Sequence, residues 1–305
     1  MMNFYPEGNA PITTGNRKGF YSLAELNEAK TRGEILESTA YMCDNDHNLL
    51  VNLGSMKGII PREDGAIGIK EGRTRDIALI SRVGKAVSFT VTDIINEKGK
   101  DIAILSRKNA QEICKNHILT NHRVGDILDA RVTHLESFGA FCDIGCGNIA
   151  LLPIDSISVS RISHPRDRFS VGDDIKVIIR QIENGRITLS HKELLGTWQE
   201  NADCFSQGQT VYGVVRSIES YGVFVELAPN LAGLAEARSD LYVGQSTSVY
   251  IKSIIPEKMK VKLIIIDSFD SEYPKTEKYF YEGDHIDSFV YSPDCADKKI
   301  EWIFE

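Results

Sequence analysis

The chain has 305 residues, of which 42% are hydrophobic and 26% charged, so it is long enough for two or three domains of ordinary globular composition. No apolar run reaches the length of a membrane span and the N-terminus lacks the apolar stretch of a signal peptide, so we expect a cytoplasmic protein without membrane segments. The net charge of −8 is concentrated in residues 268–305, which hold ten acidic residues and four lysines. The other 267 residues carry only −2, which leaves room for a local basic surface.

Sequence motifs give no indication of catalysis. The chain contains no P-loop, HExxH or GxSxG motif, and its seven histidines are dispersed. Six cysteines are scattered without a CxxC pair, and even Cys142 and Cys146, four apart, fit small buried side chains better than a zinc site. We therefore expect no enzyme, no cofactor, no metal and no disulfide framework.

The predicted elements begin with an arm and a helix over residues 1–32. Ser22 and Glu25 have the spacing of a capping box, which predicts a helix over about 22–31 that packs against the first barrel. A first barrel is predicted over 33–106, with a linking helix at 107–123.

Internal repetition is the strongest feature of the sequence. Residues 138–144, FGAFCDI, match residues 221–227, YGVFVEL, position for position, and 47–53 form a weaker third copy. Each copy lies between two glycine turns, and each unit contains five short β-rich runs. This arrangement is typical of a small closed barrel of the OB type. The fold prediction is therefore all-β, with tandem five-stranded OB barrels joined by short helices.

The remaining segments complete the predicted organisation. They are a second barrel at 124–192, a linking helix at 193–207, a third barrel with a shortened loop at 208–267 and an acidic aromatic extension at 268–305. Within the extension, 286–291 and 299–305 predict a C-terminal β-hairpin.

The repeated aromatic residues predict a surface that stacks on bases. Alternation along the strand places Ala140, Cys142 and Ile144 inside the second barrel, and Phe141 and Asp143 outside. The same parity puts Phe224 and Glu226 outside the third barrel, opposite to its interior valines. A bulge or close backbone approach at Gly139 or Gly222 would bring Phe138 or Tyr221 to the same face. The alternative is that these rings cover a barrel mouth or pack against a linking helix.

Basic residues recur at one position of the repeats. Arg186 begins the last strand of the second barrel, and Lys260 has the same place in the third, with Lys258 two residues earlier. Such cations would hold the phosphates of a strand whose bases stack on the rings.

These residues carry a family resemblance. The stretches VGDILDARVTHLESFGAFCDIG, SHPRDRFSVGDDIKV and NGRITLS of the second barrel resemble the S1 RNA-binding domain, an OB-fold found in a bacterial ribosomal protein and several ribonucleases. The third barrel is similar to the same domain, and the whole chain resembles a short, three-repeat ribosomal protein S1.

The resemblance implies the residues of the RNA surface. These are Phe138, Phe141, Glu183 and Arg186 in the second barrel, and Tyr221, Phe224 and Lys260 in the third. A histidine of the family pattern falls on Pro153 and on Glu236, which implies weaker RNA binding.

The first barrel departs further from the pattern. It has His47, Leu50 and Pro61 at the corresponding positions, and the place of its last-strand cation falls on either Lys100 or Ile102. We expect it to be structural or to dock a protein.

The resemblance also implies function and partners. The partner would be single-stranded RNA, specifically mRNA, bound at the 30S ribosomal subunit in translation. Two alternatives stay open: a protein-interaction or regulatory OB-repeat module, and a non-catalytic accessory factor in RNA turnover. From its charge, the acidic extension could also fold over the RNA face of the third barrel.

Overall fold

The computed structural model describes residues 4–12, 18–54, 56–270 and 278–304. Within these residues the chain forms three closed five-stranded barrels and a two-stranded sheet, which confirms the predicted fold class. The chain divides into two compact units. The first comprises the residues up to His122 together with Asp129–Arg131 and Asp143–Ile149, and the second comprises the rest.

The first barrel is preceded by helix α1, Leu23–Arg32. The Ser22 hydroxyl accepts a hydrogen bond from the Glu25 N–H and the Glu25 carboxylate accepts one from the Ser22 N–H, so two unpaired donors of the first turn are satisfied. Leu26 and Ala29 of α1 are buried in the core of this barrel. The strands are β1 Leu36–Cys43, β2 Leu49–Asn52, β3 Lys57–Ile60, β4 Ala86–Glu97 and β5 Lys100–Ser106, with the one-turn helix α2 Ile77–Ile80 before β4.

Helix α3, Arg107–Asn121, follows the first barrel directly, and Ser106 caps it by accepting from the Asn109 N–H. The middle barrel consists of β6 Ile127–Glu136, β7 Gly139–Asp143, β8 Ile149–Pro153, β9 Asp174–Glu183 and β10 Arg186–Ser190. The third barrel consists of β11 Thr210–Glu219, β12 Gly222–Ala228, β13 Leu231–Ala235, β14 Ser246–Ile255 and β15 Lys260–Phe269.

All three barrels have one topology. The first three strands of each form an antiparallel meander, the fourth pairs with the first, and the fifth closes the ring by pairing in parallel with the third. Closure removes the exposed strand edges that an open five-stranded sheet would have.

The connection between the middle and third barrels differs from the single helix predicted at 193–207. It contains a 3-10 turn, Lys192–Leu195, and a short helix α4, Trp198–Ala202. Gly196, with φ 84°, lies in the left-handed region and interrupts the helix, and Thr197 then caps α4 with a new capping box. Gly196 therefore divides the helix-forming residues of this connection into two short segments.

Buried polar contacts join the middle and third barrels. The Arg168 guanidinium lies 2.5 Å from the Glu226 carboxylate, and Arg216 donates to the same carboxylate at 2.8 Å. The Asn230 side chain is fully buried; it donates to the Lys192 and Gly196 carbonyls and accepts from Val159 N–H. Each of these side chains has a charged or hydrogen-bonded partner at the junction, although the buried Nε of Arg168 donates no hydrogen bond within the described residues.

The C-terminal extension packs on both of these barrels. Its predicted hairpin is present as β16 Ser288–Val290 paired with β17 Glu301–Ile303. Ile286 N–H donates to the Gly125 carbonyl of the middle barrel at 2.9 Å, and Asp297 N–H donates to the Glu257 carbonyl of the third at 2.7 Å. Phe289 and Tyr291 are buried in one core with Trp198 and third-barrel side chains. The extension is therefore an integral part of the second unit; residues 271–277 lie outside the described residues.

Candidate nucleic-acid interface

The middle barrel presents two of the predicted rings side by side. Phe138 lies in the turn before β7 and is 53% exposed, and Phe141 lies half-buried within β7. Their ring centroids are 6.0 Å apart and their planes meet at 89°, so they form an edge-to-face pair.

The third barrel repeats this geometry. Tyr221 is 66% exposed, Phe224 is half-buried, and their centroids are 6.2 Å apart at 90°. Two barrels therefore carry the same exposed aromatic pair at the same place. This recurrence favours a shared surface role over the alternative that the rings cover a barrel mouth or pack against a linking helix.

The glycines act through close approach. A Cβ added at Gly139 would lie 2.5 Å from the Leu152 carbonyl oxygen, and one added at Gly222 would lie 2.5 Å from the Ala235 oxygen. Neither glycine has a left-handed φ. The absent side chain lets β7 and β12 begin against the end of the next strand, which places Phe138 and Tyr221 beside Phe141 and Phe224.

The predicted parity holds for the barrel interiors. Ala140, Cys142 and Ile144 are buried in the middle barrel, and Val223 and Val225 are buried in the third. The outward half of the prediction is only partly right. Phe141 and Phe224 are half-exposed, but Asp143 and Glu226 are buried.

Each of the two carboxylates is buried by other parts of the chain. Asp143 accepts hydrogen bonds from the N–H groups of Glu7, Gly145 and Gly147. Burial, reinforced by the nearby Glu7 carboxylate, raises the pKa of Asp143 to about 7. Glu226 is buried in its ion pairs with Arg168 and Arg216. Alternation along a strand predicts which side of the sheet a residue faces, but it does not predict which distant parts of the chain cover that side.

His134 is a further member of the aromatic surface that the sequence reasoning missed. Its ring lies 6.3 Å from Phe141 at an interplanar angle of 29°, which is a stacked arrangement. The side chain is 62% exposed, and its Nε2 lies 2.7 Å from a carboxylate oxygen of Glu136. In an alignment of the repeats, His134 of the middle barrel corresponds to Ser217 of the third, and Ser217 pairs directly with Phe224. The alignment could therefore have predicted that His134 lies beside Phe141. The middle barrel therefore presents three rings in a row.

The predicted cations lie at strand ends near the rings. Arg186 and Glu183 face each other across the β9–β10 hairpin, and both are exposed. Lys260 begins β15 and is exposed, and Lys258 lies in the 3-10 turn before it. Within the described residues these groups make no ion pair, so they remain available to solvent or ligand.

The strand register of the third barrel places a further cation, which the sequence analysis did not predict, on the same face as the aromatic pair. Phe224 pairs with Leu234, and Leu234 pairs with Lys262 of β15. Because residues paired across adjacent strands share a face, the exposed Lys262 lies in the same row as Phe224. The corresponding position of the middle barrel holds Thr188, paired with Leu151.

The first barrel has no comparable surface. Leu50 pairs with Ile59 and Ile59 with Ile104, so this row is apolar where the third barrel has Phe224, Leu234 and Lys262. The same register places Ile102, not Lys100, at the position of Lys260.

Two absences hold for the part of the chain that the structure describes. None of its helices is long and apolar enough to cross a membrane. No group of three or more His, Cys, Asp or Glu side chains there could hold a metal ion.

Comparison with known proteins agrees with this geometry. The model of the family "S1 RNA binding domain" matches residues 121–192, which contain the middle barrel. Small ribosomal subunit protein bS1 of Staphylococcus aureus (strain COL) is 29% identical over 300 residues, covering 91% of this chain and 74% of the relative. The bS1 homolog of Bacillus subtilis is 30% identical over 199 residues, covering 62% of this chain and 50% of the relative.

Among solved structures, a multidomain protein with nucleic acid binding domains from Streptococcus pneumoniae aligns over 79% of this chain and 76% of its own. That alignment has 15% identity and a TM-score of 0.25, too loose a superposition to bear on function. The family match and the bS1 relatives do bear on it: residues 121–192, which contain the middle barrel, match the S1 RNA-binding domain family, and the chain as a whole is similar to small ribosomal subunit protein bS1.

Proposed function

We propose that this protein binds single-stranded RNA, chiefly on the middle barrel, with the third barrel as a second site. The observation that carries the proposal is the set of three contacting rings His134, Phe141 and Phe138, in which the two outer rings are exposed and Phe141 is half-buried. Three rings on a solvent-facing barrel surface contribute little to a hydrophobic core, but they offer successive π-faces to unpaired bases.

The chemistry favours single strands over duplexes. Stacking needs bases that are not already stacked in a helix, and each stacked base contributes ~1–3 kcal/mol. Arg186 and Glu183 in the middle barrel, and Lys258, Lys260 and Lys262 in the third, would contact phosphate and ribose at the edges of the two surfaces. With so few cations and a net charge of −8, we expect micromolar affinity that weakens with salt.

We further propose a role in translation, in which the protein binds mRNA at the 30S subunit, in the cytoplasm and without catalysis. The support is the resemblance to the bS1 proteins, which are named for the small ribosomal subunit. We take 33–106, 124–192 and 208–267 as the three repeat units. The apolar row of the first unit favours contact with protein rather than with RNA.

Titration of a labelled oligo(U) into the full-length chain, at low and at physiological salt, tests RNA binding. The double variant Phe138→Ala/Phe141→Ala should raise Kd at least ~30-fold, since losing two stacked bases costs about 2 kcal/mol or more. Phe20→Ala is the matched control, because Phe20 is also exposed but lies in the N-terminal arm. Equal binding by wild type and double variant would refute the platform.

Ribosome association needs a separate measurement. The wild-type protein should co-sediment with 30S particles and the double variant should do so less, if mRNA carries the contact. Failure of the wild type to co-sediment would remove the translation role but not RNA binding.

A further inference from the structure

One loop of the middle barrel lies on the third barrel. It runs from Ser158 to Arg168, between β8 and β9. Val159 N–H donates to the Asn230 side chain at 2.9 Å, and Ser160 N–H donates to the Pro229 carbonyl at 3.0 Å. Both acceptors belong to the turn between β12 and β13, so the loop meets the third barrel at the end of β12.

The other end of the loop reaches the aromatic surface of the third barrel. Arg168 bonds Glu226, and Asp167 lies 3.7 Å from Arg216. Glu226 is two residues from Phe224 on the same face of β12, a separation of about 7 Å along a strand. The register shift in β11 places Arg216 beside the Ser217–Phe224 pair. The loop therefore runs from the turn between β12 and β13 to Glu226 and Arg216, and Phe224 lies two residues from Glu226 along β12.

Four charged side chains meet at this junction. Arg168, Arg216, Asp167 and Glu226 form a largely buried group of two cations and two anions, which is neutral as a whole. The loop carries two more arginines, Arg161 and Arg166, and both are exposed. Arg166 lies along the His164 ring, with its Nε 3.2 Å from Nδ1, which holds the guanidinium at the surface.

On this side the third barrel contributes Arg216, which is already paired with Glu226 and Asp167. Lys258, Lys260 and Lys262 belong to β15 and the turn before it, on the far side of Leu234 from Phe224. At the position where the family pattern has a histidine, the exposed Glu236 would repel phosphate.

We propose that the Ser158–Arg168 loop and the aromatic surface of the third barrel form one composite RNA-binding groove. Arg161 and Arg166 bind the phosphates on one side of a base stacked on Phe224, and the lysines of β15 bind those on the other. This inference rests on the proposed RNA binding and assigns part of the third site to residues of the neighbouring barrel.

The test uses full-length protein in which the middle platform has been removed by Phe138→Ala/Phe141→Ala, so that the remaining binding reports the third barrel. Labelled oligo(U) is titrated at several salt concentrations, with and without Arg161→Gln/Arg166→Gln. The control pair is Arg123→Gln/Lys176→Gln, which removes two exposed cations of the same barrel outside the loop. All four substituted side chains are exposed, and thermal unfolding verifies that each variant is folded.

The loop variant should weaken binding about tenfold at low salt and reduce the slope of log K against log salt by about 1.4, the value for two lost phosphate contacts on a single strand. The control should change affinity less than about twofold. If the loop variant matches the control, the composite groove is refuted and RNA binding by the chain stands. If the platform-deleted background does not bind although the wild type does, the third site is absent and the inference is equally refuted. If the wild type does not bind either, the proposed function fails with it.

Discussion

Replacing Gly139 with alanine should separate the placement of the aromatic surface from the stability of the barrel. The new Cβ would lie 2.5 Å from the Leu152 oxygen and 3.1 Å from the Cα of Pro153, and both neighbours are backbone atoms that cannot rotate away. Ordinary contact begins near 3.4 Å, so β7 and β8 must separate by about 0.9 Å. Overpacking of this kind costs ~1–3 kcal/mol. The same displacement moves Phe138 relative to Phe141, so we expect RNA affinity to fall together with stability.

The measurement pairs urea unfolding, followed by circular dichroism, with the oligo(U) titration. Gly172→Ala is the control: its Cβ meets nothing within 4 Å, but its φ of 101° is unfavourable for alanine. It should cost roughly 1–2 kcal/mol through backbone strain alone and leave RNA affinity unchanged. Wild-type affinity and stability in Gly139→Ala would refute the close-approach explanation. A loss of affinity in both variants would show that binding follows general stability instead.

Three further predictions concern single side chains. Glu226→Ala should lower the free energy of unfolding by ~3–5 kcal/mol, because Arg168 would be buried without its counter-charge and Arg216 would keep only the longer contact with Asp167; a loss below ~1 kcal/mol in urea unfolding would contradict this. His134→Ala should raise Kd for oligo(U) about fivefold, and His134→Phe should restore affinity, since stacking and not charge is the expected contribution; unchanged binding by the alanine variant would exclude the third ring. Asp143 has a folded pKa of about 7, above its ordinary 3.8, so its stabilising contribution is complete below that ordinary value and is lost as pH rises through 7. Asp143→Asn should therefore flatten the decline in unfolding free energy between about pH 4 and pH 7, and an undiminished decline would show that other groups cause it.

The interior of each barrel could be predicted because it depends on local periodicity. A closed five-stranded barrel has one inside, and alternation along β7 or β12 determines which residues face it. The positions of Phe138 and Tyr221 also followed from sequence, since glycine before a strand indicates close approach and the repeat supplied the same evidence twice.

The outer surface could not be predicted in the same way. Asp143 and Glu226 occupy the outward positions that periodicity gives them, but partners distant in sequence bury both. Nothing in the local pattern identifies Glu7, Arg168 or Arg216 as those partners. The stacking of His134 on Phe141, by contrast, could have been predicted. It depends on the pairing of β6 with β7, and the alignment of the repeats indicates that pairing.

The buried polar junction between the middle and third barrels has a consequence for the length of RNA that the protein recognises. If a flexible tether joined the two RNA sites, avidity would rise gradually with RNA length, because the tether would let the sites adopt many separations. The buried Glu226 ion pairs and the fully buried Asn230 replace such a tether with a fixed separation. An oligonucleotide too short to span the two sites gains no affinity from the second site. One that is just long enough binds the second site at the full effective concentration that the fixed separation provides. Affinity plotted against RNA length should therefore rise in a step, and the nucleotide count at that step would measure the spacing of the two aromatic surfaces in solution.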